Sequence, residues 1–135
     1  MDEIFGSSAL RRVAEHVLAV VRHKFEKNFK IETAFVQHYL QAARLGQHRD
    51  PYFPSKCLQA CVSIGAEAEW VTKLIRPEEP EFRSSGLAVE ELNRKHKAKN
   101  GDVMISSAFA NRVQSHGVQA QKSSGERFAV LFLLH

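Results

Sequence analysis

The chain has only two cysteines, Cys57 and Cys61, in 135 residues. Two thiols cannot build the disulfide framework of a small secreted domain, so a reducing compartment is expected. No apolar run approaches the roughly 20 residues of a membrane span, and no membrane association is expected. The start, Met1-Asp2-Glu3-Ile4-Phe5, lacks the basic and apolar regions of a secretory signal. An intracellular location, nuclear or cytoplasmic, follows as the expectation. Catalytic signatures are missing too: there is no Gly-x-Ser-x-Gly, no phosphate-binding loop and no His-Glu-x-x-His. The seven histidines are scattered. His16 and His23 share a helix side at i,i+7, but no Cys, Asp or Glu completes a site beside them in sequence. The expectation is no enzyme, no catalytic residue, no cofactor and no metal. Cys57 and Cys61, four apart with no second ligand pair, do not make a zinc pattern. They suit buried core positions better.

What is present is ordinary for a globular domain: 44% hydrophobic and 25% charged residues, with a net charge of +4. That bias permits nucleic acid as a partner without demanding it. The charge is unevenly placed. Glu78, Glu79, Glu81, Glu90 and Glu91 precede Arg94-Lys95-His96-Lys97-Ala98-Lys99, which holds four fixed positive charges in six residues.

Apolar spacing predicts a first helix capped by Ser7 or Ser8 and running to about Phe25, striped by Leu10, Val13, Ala14, Val17, Leu18, Val21 and Phe25. A second helix is expected over Glu32–Leu45 through Phe35, Val36, Tyr39, Leu40 and Ala43, stopped by Gly46. Residues 47–52 read as a polar loop, and a third helix runs from Pro54 to Ile64, closed by Gly65. Arg76–Gly86, with two prolines and a Ser-Ser-Gly exit, is the expected hinge. Beyond it a helix, Leu87–Lys99, ends at Asn100-Gly101, and another, Ser106–Ser115, ends at Gly117. A hairpin follows, Val118–Gln121 and Arg127–Leu134 around a Lys122–Gly125 turn. Segment 55–65 echoes segment 107–117, with Cys57 and Cys61 where Phe109 and Val113 stand.

At Ser107-Ala-Phe109-Ala-Asn-Arg112-Val113 and the following hairpin, the chain resembles two winged-helix families. These are the regulatory factor X DNA-binding domain and the C-terminal winged helix of phage and viral primase-helicases. The expected fold is mainly α with a small C-terminal β-hairpin, winged-helix-like, as one body or two degenerate winged-helix units packed together. The expected units are residues 1–75 and 87–135, joined by the hinge 76–86. The resemblance implies binding of double-stranded DNA or RNA, with helix 106–115 as the reading head. Asn111 and Gln114 would face bases, with Ser107 beside them and Arg112 on the flank. Arg94, Lys95, Lys97, Lys99 and Lys122 would face phosphates, with Arg127 the other basic residue of the wing. The alternative is a winged-helix protein-interaction module, its partner taken through the apolar strand 128–134.

Overall fold

The computed structural model describes residues 8–40, 43–51, 54–120 and 125–135. Helix α1 (Ser8–Phe25) leads into β1 (Ile31–Tyr39), β2 (Arg44–His48), β3 (Leu58–Gly65) and β4 (Ala68–Leu74). Two short helices, α2 (Pro80–Ser85) and α3 (Val89–Leu92), connect to β5 (Arg94–Ala98) and β6 (Val103–Ser107). A last short helix, α4 (Ala108–Val113), precedes β7 (Gln114–Ala120) and β8 (Arg127–Leu134).

The antiparallel pairs β1·β8, β2·β7, β3·β6 and β4·β5 mirror one another about the β4–β5 connection. The chain is thus a long hairpin strip. Two further pairings, β3·β8 and β4·β7, roll the strip up. Two four-stranded sheets result, β1-β8-β3-β6 and β2-β7-β4-β5. This strand order is that of an eight-stranded jelly roll, whose two sheets enclose an interior.

Strand alternation assigns each face. Leu58, Ala60 and Val62 on β3 lie opposite Leu134, Phe132 and Val130 on β8. Together they form one apolar face, and α1 covers it with Ala14, Val17, Leu18 and Val21. The other parity, Cys61 and Ser63 opposite Leu131 and Ala129, turns into the space between the sheets. There Cys61 and Ala129 pack with Ala68, Trp70 and Val118 of the second sheet. Strand β8 is therefore central and covered on both faces, which is why it is almost wholly apolar.

Helix α1 forms where its stripe predicts. The mainly α, winged-helix expectation does not hold, because beyond α1 the described residues form two β-sheets with only short connecting helices. Residues 31–39 are rich in β-branched and aromatic side chains, which suit a strand, and their three-to-four spacing is incidental. Residues 58–64 alternate strictly, at period two. Gly65 is no helix stop. It sits at φ 95, and a Cβ there would lie 2.7 Å from the Glu126 carbonyl oxygen on the approaching strand. The helix expected over 87–99 stops at Leu92. Asn93 turns extended, its Oδ1 accepting from the Leu74 amide, and Arg94 onward pairs with β4. The expected reading helix shrinks to α4, one and a half turns between two strands, in which Val113 is buried and Phe109 half-buried. The expected wing strands β7 and β8 do not pair with each other; they belong to different sheets. Among the described residues no helix is long and apolar enough to cross a membrane.

Candidate metal centre

Among the described residues the interior carries one cluster of metal-ligating side chains, His48, Asp50 and His116, whose ligand atoms all lie within 4.8 Å of one another. Its assembly begins with an irregularity in β2. Leu45 pairs with Val118 and His48 pairs with His116, three steps along β2 against two along β7. Residues three apart on a regular strand face opposite sides. The extra residue is a β-bulge, which shifts the parity, so that Leu45 and His48 both line the interior, and Asp50 with them. The bulge crowds its neighbour. A Cβ on Gly117 would sit 3.0 Å from the Leu45 carbonyl oxygen, 3.2 Å from the Gln47 amide nitrogen and 2.7 Å from Gln47 Nε2. Gly117 is a point of close approach rather than a helix end.

The imidazoles are aimed. His48 Nδ1 lies 2.8 Å from the Gly46 carbonyl oxygen. A carbonyl only accepts, so the proton sits on Nδ1 and the Nε2 lone pair is presented to the interior. His48 Nε2 is 3.6 Å and His116 Nε2 3.7 Å from the same oxygen, Asp50 Oδ1. Tetrahedral ligands about 2.1 Å from an ion lie roughly 3.4 Å apart, so the spacing suits one small cation between them. His116 stacks on Trp70, ring centroids 5.0 Å apart and nearly parallel. Burial lowers its pKa, outweighing the opposing pull of Asp50, while His48 adds to the lowering. A neutral imidazole is a metal ligand; a protonated one is not. Asp50 Oδ2 is buried without a hydrogen-bond partner among the described residues. A buried carboxylate oxygen left without a partner is costly without a cation.

Helix α4 anchors the carboxylate. Asn111 Oδ1 accepts from the Asp50 amide at 2.9 Å, and Asn111 Nδ2 donates to the Asp50 carbonyl at 3.0 Å. Ser107 starts that helix by accepting from the Ala110 amide. Gln47 braces the bulge, its Nε2 donating to the Val71 carbonyl and its Oε1 accepting from Ser115 Oγ.

Arg127 lines the same cavity from the facing sheet. It is 2% exposed. Nη2 donates to Ser63 Oγ at 3.0 Å, and the guanidinium stands 4.9 Å from the centre of the Tyr39 ring. Nε and Nη1 have no partner among the described residues. Cys61 is held as a thiol, its pKa pushed up to about 11 by burial, with Arg127 opposing and Asp50 adding to the rise. Burial likewise raises Tyr39, against the pull of Arg127. The interior thus presents two imidazoles and a carboxylate on one side and a cation with unused donors on the other.

None of the residues expected to read bases forms a reading surface. Asn111 is committed to Asp50. Gln114 Nε2 donates to the Leu92 carbonyl, and Arg112 pairs with Glu81. Arg94, Lys95 and Lys97 are exposed on β5, Lys99 follows in the turn, and Lys122 lies outside the described residues. Arg127 is interior rather than on a wing. His48, Asp50 and His116 were missed because 47–52 reads as a loop and the histidines are 68 positions apart in number. The usable signal was His48-Arg49-Asp50: two ligands at i and i+2 share a face only if the segment is extended.

No protein-family model and no curated protein matches the chain. A solved structure similar to it is described as an uncharacterised conserved protein with a double-stranded β-helix domain, from Klebsiella pneumoniae. The two are 18% identical over 80% of this chain and 69% of that one, with a TM-score of 0.44. The architecture assigned here rests on the strand pairing, and that pairing replaces the winged helix in both of its readings, nucleic-acid binder and interaction module.

Proposed function

We propose that the chain is a metal-dependent oxygenase in which His48, Asp50 and His116 hold a single iron(II) ion. The convergence of two Nε2 atoms on one carboxylate oxygen, Asp50 Oδ1, carries this reading. Two histidines and one carboxylate with open positions are the donor set of non-haem iron oxygenases. The ion would supply Lewis acidity and the means of activating dioxygen. The chain's own residues do the rest. Asn111 fixes the backbone of Asp50, the Gly46 carbonyl fixes the His48 tautomer, and Trp70 fixes the His116 ring plane.

Arg127 supplies the second half of the reading. A buried guanidinium with spare donors binds a carboxylate well. A 2-oxo acid with a second carboxylate would match the chemistry of both sides. Its oxo acid end would suit an ion held by His48, Asp50 and His116, and its far carboxylate would suit Arg127. The space is about 30 Å³, room for about two waters, so such an acid would enter only with displacement of the lining side chains. The seat therefore selects small anions. The test is oxygen uptake by iron(II)-loaded protein offered a panel of small mono- and dicarboxylic 2-oxo acids. Uptake that needs both iron and a dicarboxylic 2-oxo acid, and that disappears in Arg127→Met, supports the reading. Uptake indifferent to the acid, or equal in Arg127→Met, removes Arg127 from it.

A further inference from the structure

Strand β5 is the last strand of its sheet, hydrogen-bonded to β4 on one side only. Among the described residues no strand pairs with its other edge. A free edge carries a row of backbone donors and acceptors spaced to match another extended chain. Here that edge is cationic. Arg94, Lys95, His96 and Lys97 are all exposed, as is Lys73 on the neighbouring strand, and Lys99 follows in the turn. Among the described residues one acid pairs with this row, Glu69, 3.8 Å from Lys95 Nζ, while Glu90 and Glu91 precede the strand on α3. Beside the edge lies an open groove of about 370 Å³, whose lining includes Val71, Leu74, Asn93 and Arg94.

We propose that this edge docks an extended acidic segment of another polypeptide, which adds a strand to the sheet. Charge decides the occupant. Paired strands lie about 4.8 Å apart, well inside the screening length of about 8 Å at physiological salt. A second copy of β5 would bring like charges face to face, so lysines block self-pairing. Glutamates or aspartates at alternate positions reverse the sign of that interaction. The groove takes the apolar side chains between them. Backbone pairing favours a peptide over a nucleic acid, which could use the lysines but not the edge. Thr72 lines both this groove and the small space beside Asp50 and His116, so the docking edge is one side chain from the metal centre. The docking does not depend on that centre.

The test is fluorescence anisotropy with the full chain, with and without iron(II). The probe is an eight-residue peptide alternating Glu with Val. The controls are the same peptide with Lys for Glu, one with Pro at alternate positions, and a single-stranded oligonucleotide of equal charge. The acidic peptide is expected to bind at least about ten-fold tighter than every control, equally with and without metal. Lys95→Glu with Lys97→Glu, both exposed changes, is expected to transfer binding to the Lys peptide. Equal binding of the proline peptide or the oligonucleotide would overturn strand addition, and absence of any binding would overturn the proposal outright. Ion binding in the same samples is read separately, so a failure here leaves the metal assignment standing, and the reverse.

Discussion

Replacing Gly117 by alanine is expected to damage both stability and the metal centre, because the glycine admits the bulge that aims His48. The new methyl group would meet Gln47 Nε2 at 2.7 Å, the Leu45 carbonyl oxygen at 3.0 Å and the Gln47 amide nitrogen at 3.2 Å. The first contact is with a side chain that can swing. Swinging it breaks the bonds to the Val71 carbonyl and from Ser115 Oγ, at about 0.5–1.5 kcal/mol each. The other two contacts are with backbone, and relieving them pushes β2 away from β7. Overpacking of this kind costs about 1–3 kcal/mol. Gly46, two residues before His48, has nothing within 4 Å of its would-be Cβ and no positive φ. Gly46→Ala is therefore expected to be neutral, or stabilising by about 0.4–1 kcal/mol through the unfolded chain. Urea unfolding of parent and both variants, together with iron(II) affinity, checks the pair. The expected pattern is a loss of stability and of metal affinity in Gly117→Ala alone. Equal stability and equal affinity in the two alanine variants would refute the bulge argument.

Phe132 is wholly buried under α1, and Phe132→Ala is expected to lower unfolding free energy by about 3–5 kcal/mol in a denaturant titration. Asn111→Ala removes both clamps on the Asp50 backbone and is expected to weaken metal binding by about 10–100-fold, as loss of a supporting hydrogen bond typically does. The lowered pKa of His116 sets a pH dependence. The unfolded state binds more protons than the folded one below the ordinary histidine value of about 6.5, so stability of the metal-free protein falls with pH from there down to the folded value. One titrating group sets a ceiling of about 1.4 kcal/mol per pH unit on that slope, and His116→Gln is expected to flatten it in melts from pH 7 to 5. Arg127→Met removes a buried charge with two unpartnered nitrogens and is expected to leave the melting temperature unchanged or higher, in contrast to its loss of function.

Legibility in the sequence differed from element to element. Helix α1 is legible because one face packs on a sheet and the other meets water, which imposes a clean stripe. The alternation Leu58-Ala60-Val62-Ile64 is legible as a strand, yet a strand covered on both faces fills the intervening positions with Cys61 and Ser63 and mimics a short helix. Residues 94–98 look helical because acids precede bases at i,i+4. The pairs do not form, since Leu92 ends the helix and the Arg94 amide turns to Thr72 Oγ1 instead. The glycines misled in a consistent way. Gly65 and Gly117 mark close approaches between strands, which a single sequence does not distinguish from helix stops. The site was hidden by its own construction. His48 and Asp50 face inward only through a bulge, and His116 reaches them only through the β2–β7 pairing. Arg127 reads as a basic residue of a wing, and its burial is hidden because it depends on the register of β8 against β3.

The central claim is that His48, Asp50 and His116 form one cation site. It is tested most directly by anaerobic calorimetric titration of the metal-free chain with iron(II), alongside Asp50→Ala and His116→Ala. The expected result is one ion per chain in the parent and affinity lowered by more than about 100-fold in each variant, beyond the range that supporting residues produce. Parent-like affinity in either variant, or no ion bound by the parent, would contradict the account.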